Sequence, residues 1–310
     1  MTTLPIQQQT LASSTSRSGI GLHSARLVDI TIHPAPVDTG IVFRRVDISG
    51  VDNNVPALSS NIADTMLNSQ IMNSDGVTVG TVEHLMAAFY GLGIDNAYVD
   101  INAAELPAMD GSALLYCEMI RDAGIKTQPA SRQFLEVLRP VRVEKGDSFA
   151  EIIPSRQLKI NVSIDFVDPA IGRSQYYYNH TDTSFEAELS AARTFCLYAD
   201  VTKLRAAGYA LGGSLENAIV VDDGVIMNDD GLRYSDEFVR HKTLDCLGDI
   251  YLAGTPVLGD ITASQPSHAL NNLLLQAVLA DETAWRLVDS ARLEPAMSLE
   301  AEHAAMVSFA

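Results

Sequence analysis

The segment His241-Lys242-Thr243-Leu244-Asp245-Cys246-Leu247-Gly248-Asp249 constrains this chain more than any other. It reads as an amphipathic helix running from about Asp236 to Ala253, closed by Gly254 and Pro256. His241, Asp245 and Asp249 fall at i, i+4 and i+8. Four residues of α-helix advance about 400°, so each successive side chain drifts only about 40° around the axis. All three share one face, while Phe238, Leu244, Leu247 and Tyr251 spread over the others. An imidazole and a carboxylate one turn apart can hold a divalent metal, and the second carboxylate can serve behind it. An ordinary surface ion pair explains a lone His/Asp pair equally well, so the rest of the chain must decide.

Thr81-Val82-Glu83-His84-Leu85-Met86-Ala87-Ala88-Phe89 also reads as a helix, with Thr81 as its expected N-cap. Glu83 and His84 are the only strongly polar pair in its first turns. Two His and one Asp are a familiar ligand set for catalytic zinc, with a fourth position left to water. A neighbouring Glu that is not a ligand is a usual base for that water. The alternative is a helix start whose Glu is favoured by the dipole alone. In Pro266-Ser267-His268-Ala269-Leu270-Asn271-Asn272, Ser267 is the expected N-cap of an amphipathic run ending near Trp285. His268 can act as a general acid there if a carboxylate such as Asp249 keeps it protonated; otherwise it is a solvent-facing residue beside a loop.

At 310 residues the chain can form two ordinary domains or one large one. Its N-terminus lacks the basic and apolar regions of a secretory signal, and no apolar run of about 18 residues could span a membrane. Three widely spaced cysteines, Cys117, Cys196 and Cys246, form neither a disulfide framework nor a CxxC zinc pattern, which suits the cytoplasm. A net charge of −18 argues against nucleic-acid binding and means that an anionic substrate must be met by local Lys or Arg.

Strands are expected at Leu27–His33, Ile41–Arg44 and Asn96–Asn102, and a helix from Ser112 to Asp122. The polar stretch Lys126–Arg132 reads as a linker. Beyond it, strands are expected at Phe134–Val143, Phe149–Ile153, Leu158–Phe166, Gln175–Asn179, Ala218–Asp222 and Pro256–Ala263, with helices at Ser184–Ala192 and Asp200–Ala207. The reading is therefore α+β: two similar domains, 1–128 and 129–310, each a β-sheet layered with two helices. Glu83 and His84 fall in the first and His241, Asp245 and His268 in the second, so a shared site belongs at their interface.

Taken together these segments resemble the UDP-3-O-acyl-N-acetylglucosamine deacetylase family, the zinc amidases of lipid A biosynthesis. The resemblance runs from Gly19-Ile20-Gly21-Leu22-His23 to about Leu287. It includes Asp64-Thr65-Met66-Leu67, Thr81-Val82-Glu83-His84-Leu85, Gly91-Leu92-Gly93-Ile94-Asp95-Asn96 and Met109-Asp110-Gly111-Ser112. The second half adds Ala192-Arg193-Thr194-Phe195, Leu211-Gly212-Gly213-Ser214, Asp236-Glu237-Phe238-Val239-Arg240-His241-Lys242 and His268-Ala269-Leu270-Asn271-Asn272. The family fold is two α/β domains of similar topology, packed face to face.

The resemblance implies one Zn2+ per chain on His84, His241 and Asp245, a set that also suits Fe2+, with Glu83 as base. It implies Thr194 as a stabiliser of the tetrahedral oxyanion, Lys242 as support for the intermediate or for the substrate's negative charge, and His268, held by Asp249, as proton donor to the leaving amine. Leu67, Phe195, Val201, Ala210 and Leu215, with Gly213 and Ser214, match an apolar passage for the acyl chain, although ordinary core packing also accounts for several of them. Asp165 and Phe166 match positions near the uridine diphosphate. The family often has Lys-Ser-Gly where this chain has Gln265-Pro266-Ser267, which removes a basic diphosphate contact. The implied partner is an acylated UDP-sugar and the implied state a cytoplasmic monomer. Two rival readings are an amidase for another sugar nucleotide and a non-catalytic binding protein with a structural metal.

Overall fold

A computed structural model describes residues 6–180 and 184–291. Residues 293–310, which from sequence could be either a docked helix or a frayed tail, lie outside them. The described residues form six α-helices: α1 (Glu83–Leu92), α2 (Leu114–Ala123), α3 (Phe185–Glu188), α4 (Tyr198–Ala206), α5 (Glu237–Ile250) and α6 (His268–Ala280). The fold is α+β. A five-stranded sheet orders Thr15–Ile20, Leu27–Pro34, Ala97–Ile101, Ile41–Arg45 and Asn54–Pro56, antiparallel except between Ala97–Ile101 and Ile41–Arg45. Leu27–Pro34 shows why it forms: Val28, Ile30 and Ile32 are buried while Leu27 and Asp29 face outwards, the two-residue period of a half-buried strand.

The seven-stranded sheet is organised around Val257–Ser264. That strand pairs antiparallel with Ser148–Ile153 and parallel with Leu158–Asp165 and, at its start, with Gln133–Val137. Helices α1 and α2 pack together and α2 lies on the first sheet, while α5 and α6 lie on the second. α1 and α5 face each other, and one continuous apolar cluster runs through both halves.

That contact corrects the reading of α5 as amphipathic. Twelve of its residues are buried, His241, Asp245 and Asp249 among them, because its polar face meets α1 rather than water. The stretch read as a linker is a strand, Ile125–Ser131, paired antiparallel with Gln7–Leu11. Its mixed polar sequence hides this, since only Gln128 is fully buried and the strand is held by main-chain bonds to a distant segment. The single strand expected over 134–143 is two, Gln133–Val137 and Val141–Lys145, interrupted before Pro140. The helix expected over 184–192 is the single turn α3, and α6 stops at Ala280, ahead of a separate strand at Trp285–Asp289. No described helix is long and apolar enough to cross a membrane.

Candidate metal centre and adjoining cavities

Helix α1 begins next to a strained residue. Thr81 has φ +58°, and its hydroxyl accepts from Asn68 Nδ2 at 2.9 Å and lies 3.3 Å from Glu105 Oε1. It therefore does not cap the helix as expected: its side chain is committed to the loops around it, and Val82 precedes the helix with no side-chain cap. The left-handed backbone fixes how Glu83 and His84 leave the chain. By contrast, Ser267 caps α6 as expected, accepting from the Leu270 N–H at 3.2 Å.

His84, His241 and Asp245 come together from α1 and α5, with ligand atoms all within 4.8 Å of one another and all three residues buried. Asp245 Oδ1 lies 3.7 Å from His84 Nε2 and 3.3 Å from His241 Nε2. Asp245 Oδ2 accepts from Lys242 Nζ at 2.9 Å, whereas Oδ1 is buried with no hydrogen-bond partner. His241 Nδ1 lies 3.0 Å from the Ala192 carbonyl oxygen. A carbonyl only accepts, so Nδ1 carries the proton and Nε2 presents a lone pair towards Asp245.

A buried carboxylate oxygen facing an imidazole lone pair is unfavourable unless a cation lies between them. Burial, together with the neighbouring His241, lowers His84 to about 3, and burial also lowers His241. Burial works against the Asp245 charge, but His241, Lys242, His268 and His84 outweigh it and hold the group well below the usual carboxylate range. Neutral imidazoles and an ionised carboxylate are the protonation states a divalent metal requires, so this donor set fits one.

The proton-carrying groups lie alongside. Glu83 Oε2 accepts from the Ser69 N–H at 3.0 Å, and Oε1 lies 3.7 Å from His268 Nε2. His268 Nδ1 is 2.8 Å from Asp249 Oδ2, which also accepts from Asn271 Nδ2 at 2.8 Å. The Ser69 hydroxyl donates to Asp249 Oδ1 at 2.5 Å. Burial raises Glu83 to about 7 against the pull of His268. Burial disfavours a charged His268, yet the Asp249 and Glu83 carboxylates prevail and raise it to about 9. Ser69 and Asn271 were missed from the sequence. Asn271 had a signal, lying three residues after His268 on the same helix face; Ser69 had none.

Glu83, His84, Thr194, Phe166, Phe195, Lys242, Ser267 and His268 line a cavity of about 670 Å³. An adjoining groove of about 290 Å³ is walled by Leu67, Phe195, Val201, Ala210, Gly213, Ser214 and Leu215, together with Leu22, His23 and Thr194. His23, Leu67, Thr194 and Phe195 are among the residues common to both. Asp165 is exposed at the end of its strand and lines neither cavity; its carbonyl accepts from Gln265 Nε2 at 2.6 Å. Gln265 has φ +53° and Ala210 φ +51°, so strained backbone recurs around the site.

The chain as a whole also matches known proteins. The family model for UDP-3-O-acyl N-acetylglycosamine deacetylases matches residues 8–280. The UDP-3-O-acyl-N-acetylglucosamine deacetylase of Shewanella sp. (strain W3-18-1) is 46% identical over 285 residues, covering 91% of this chain and 93% of that protein. The protein of the same description from Shewanella oneidensis strain MR-1 is 45% identical over 306 residues, covering 98% and 97%.

Proposed function

Because this chain belongs to the UDP-3-O-acyl-N-acetylglucosamine deacetylase family, we propose that it hydrolyses the acetamide of UDP-3-O-(3-hydroxyacyl)-N-acetylglucosamine. The products are acetate and the free 2-amine, and the step belongs to lipid A biosynthesis. The observation that carries the chemistry is the unpartnered Asp245 Oδ1, buried between the Nε2 atoms of His84 and His241. Those three residues would hold Zn2+, which supplies a Lewis acid able to bring a water's pKa towards neutrality. Fe2+ suits the same donors, and metal analysis of the native protein separates the two.

The protein's own groups divide the proton transfers. Glu83, buried and not a ligand, accepts the proton of the attacking water as the new C–O bond forms at the acetyl carbon. Negative charge then gathers on the former carbonyl oxygen, where the Thr194 hydroxyl and the Lys242 ammonium would stabilise it. When the C–N bond breaks, His268 gives its proton to the amine nitrogen. Asp249 holds His268 by Nδ1 at 2.8 Å, which leaves Nε2 to face the reaction and the Glu83 carboxylate.

The apolar groove beside this centre supports an acyl chain as the second recognition element. Phe166, which lines the metal cavity, is proposed for the uridine diphosphate end, and Asp165 is proposed there from the resemblance alone. Residues 1–128 and 129–310 are read as the two domains, the enzyme as a cytoplasmic monomer. The test is acetate release from acylated and unacylated UDP-N-acetylglucosamine. The proposal expects at least a hundredfold preference for the acylated form, on the order of what burying several methylenes provides. Equal rates on both would remove the acyl chain from recognition.

A further inference from the structure

His23 stands where the two cavities meet and lines both. The loop carrying it is pinned from two sides. Glu105 accepts from the backbone N–H of His23 at 2.8 Å and of Ser24 at 2.9 Å. On the other side, the Leu22 carbonyl accepts from Gly212 N at 3.0 Å and the His23 carbonyl from Leu211 N at 3.2 Å. A Cβ on Gly212 would fall 2.3 Å from the Gly21 oxygen, so this approach requires glycine.

The imidazole has one settled partner. The backbone N–H of Ala210 donates to His23 Nδ1 at 3.3 Å. Nδ1 is therefore the acceptor and the proton resides on Nε2, in keeping with burial lowering the His23 pKa. Nε2 is itself buried and has no hydrogen-bond partner. Tyr209 packs perpendicular to the ring with centroids 5.5 Å apart, an aromatic contact that is no substitute for a carbonyl acceptor. A desolvated N–H donor thus lies between the metal cavity and the apolar groove.

We infer that His23 donates its Nε2–H to the carbonyl oxygen of the ester joining the acyl chain to the sugar. This rests on the deacetylase reading, in which the sugar occupies the metal cavity and the chain the groove. The ester is then the polar group at the junction. A carbonyl also suits the site better than a hydroxyl does: it only accepts, whereas a hydroxyl brings a proton that needs its own acceptor. The nearby Glu105 oxygens already receive the His23, Ser24 and Thr81 groups. His23 would then be a positioning residue, setting where the acetamide lies by fixing the neighbouring ester.

The test uses the metal-loaded full chain with two substrates, the 3-O-acyl ester and a 3-O-alkyl ether of equal length that lacks the carbonyl. The wild type is expected to favour the ester roughly tenfold in kcat/KM, the worth of one good hydrogen bond. His23→Asn keeps an acceptor for the Ala210 N–H but withdraws the distal donor. It should lose roughly tenfold on the ester and nothing further on the ether, with metal content unchanged. His23→Gln restores an N–H near the position of Nε2 and should recover the ester preference. An undiminished preference in His23→Asn overturns the assignment. So does a wild type that turns over ester and ether equally, which decides the matter even if the variants fail to fold. No acetate from either substrate would instead overturn the deacetylase reading beneath it.

Discussion

A Cβ on Gly248 would sit 2.1 Å from the backbone oxygen of Glu83, so α5 can lie against α1 only with glycine at their crossing. The same crossing sets His84 beside His241 and Asp245, and Glu83 beside His268 and Asp249. Gly248→Ala must push the helices apart against backbone, where no flexible side chain can give way. The expected cost is about 1–3 kcal/mol of stability, accompanied by weaker metal retention. Thermal melts and metal analysis of the purified variant check both. A variant with unchanged melting and metal content would show that the crossing tolerates separation.

Asp245 and Glu83 are close in space but should fail differently. Asp245→Ala removes a proposed metal ligand and leaves Lys242 without its Asp245 partner, so metal and activity are both expected to be lost. Glu83→Gln keeps the shape of the side chain and all three ligands. It should retain metal while kcat falls by about 10²–10⁴, the range for loss of a general base. Metal analysis alongside single-turnover rates separates the two outcomes.

His268, the proposed proton donor, should set the alkaline side of the pH profile. Its pKa is raised to about 9, so the protonated donor is present through neutrality and is lost as pH rises through that value. Activity should fall along with it, and His268→Gln should be slow and lack this limb. The linked stability has the same sign. The folded value lies above the ordinary one near 6.5, so the contribution is complete below about pH 6.5 and disappears as pH climbs through about 9. Urea midpoints across this range, for wild type and His268→Gln, measure it.

Val201 faces the groove from α4, a helix with no buried residue of its own. Val201→Trp should shorten the accepted acyl chain, raising KM for long chains by roughly tenfold or more while leaving short ones little changed. Rates across a series of chain lengths read this directly.

Much of the site was legible because helical spacing carries it. Asp249, four residues beyond Asp245, and His268, one after a capping Ser, were placed by period and cap chemistry alone. Thr81 misled because Ser/Thr before a helix usually caps it, whereas here tertiary bonds to Asn68 and Glu105 take the hydroxyl. The buried polar face of α5 was hidden for a related reason. A sequence shows that a face is polar, but not that a second helix covers it. The strand Ile125–Ser131 is not legible locally because its formation depends on Gln7–Leu11, more than a hundred residues away. In the sequence His23 is visible only within the Gly19–His23 segment; its proposed role depends on Ala210 reaching Nδ1 across 187 positions.

His84, His241 and Asp245 are proposed to hold a metal without which the acetamide is not cleaved. The most direct measurement is acetate release from UDP-3-O-acyl-N-acetylglucosamine by chelator-stripped protein, before and after one equivalent of Zn2+ is returned. Activity should disappear on stripping and return in proportion to metal bound, with no return in Asp245→Ala. Full turnover by protein verified to be metal-free would contradict it.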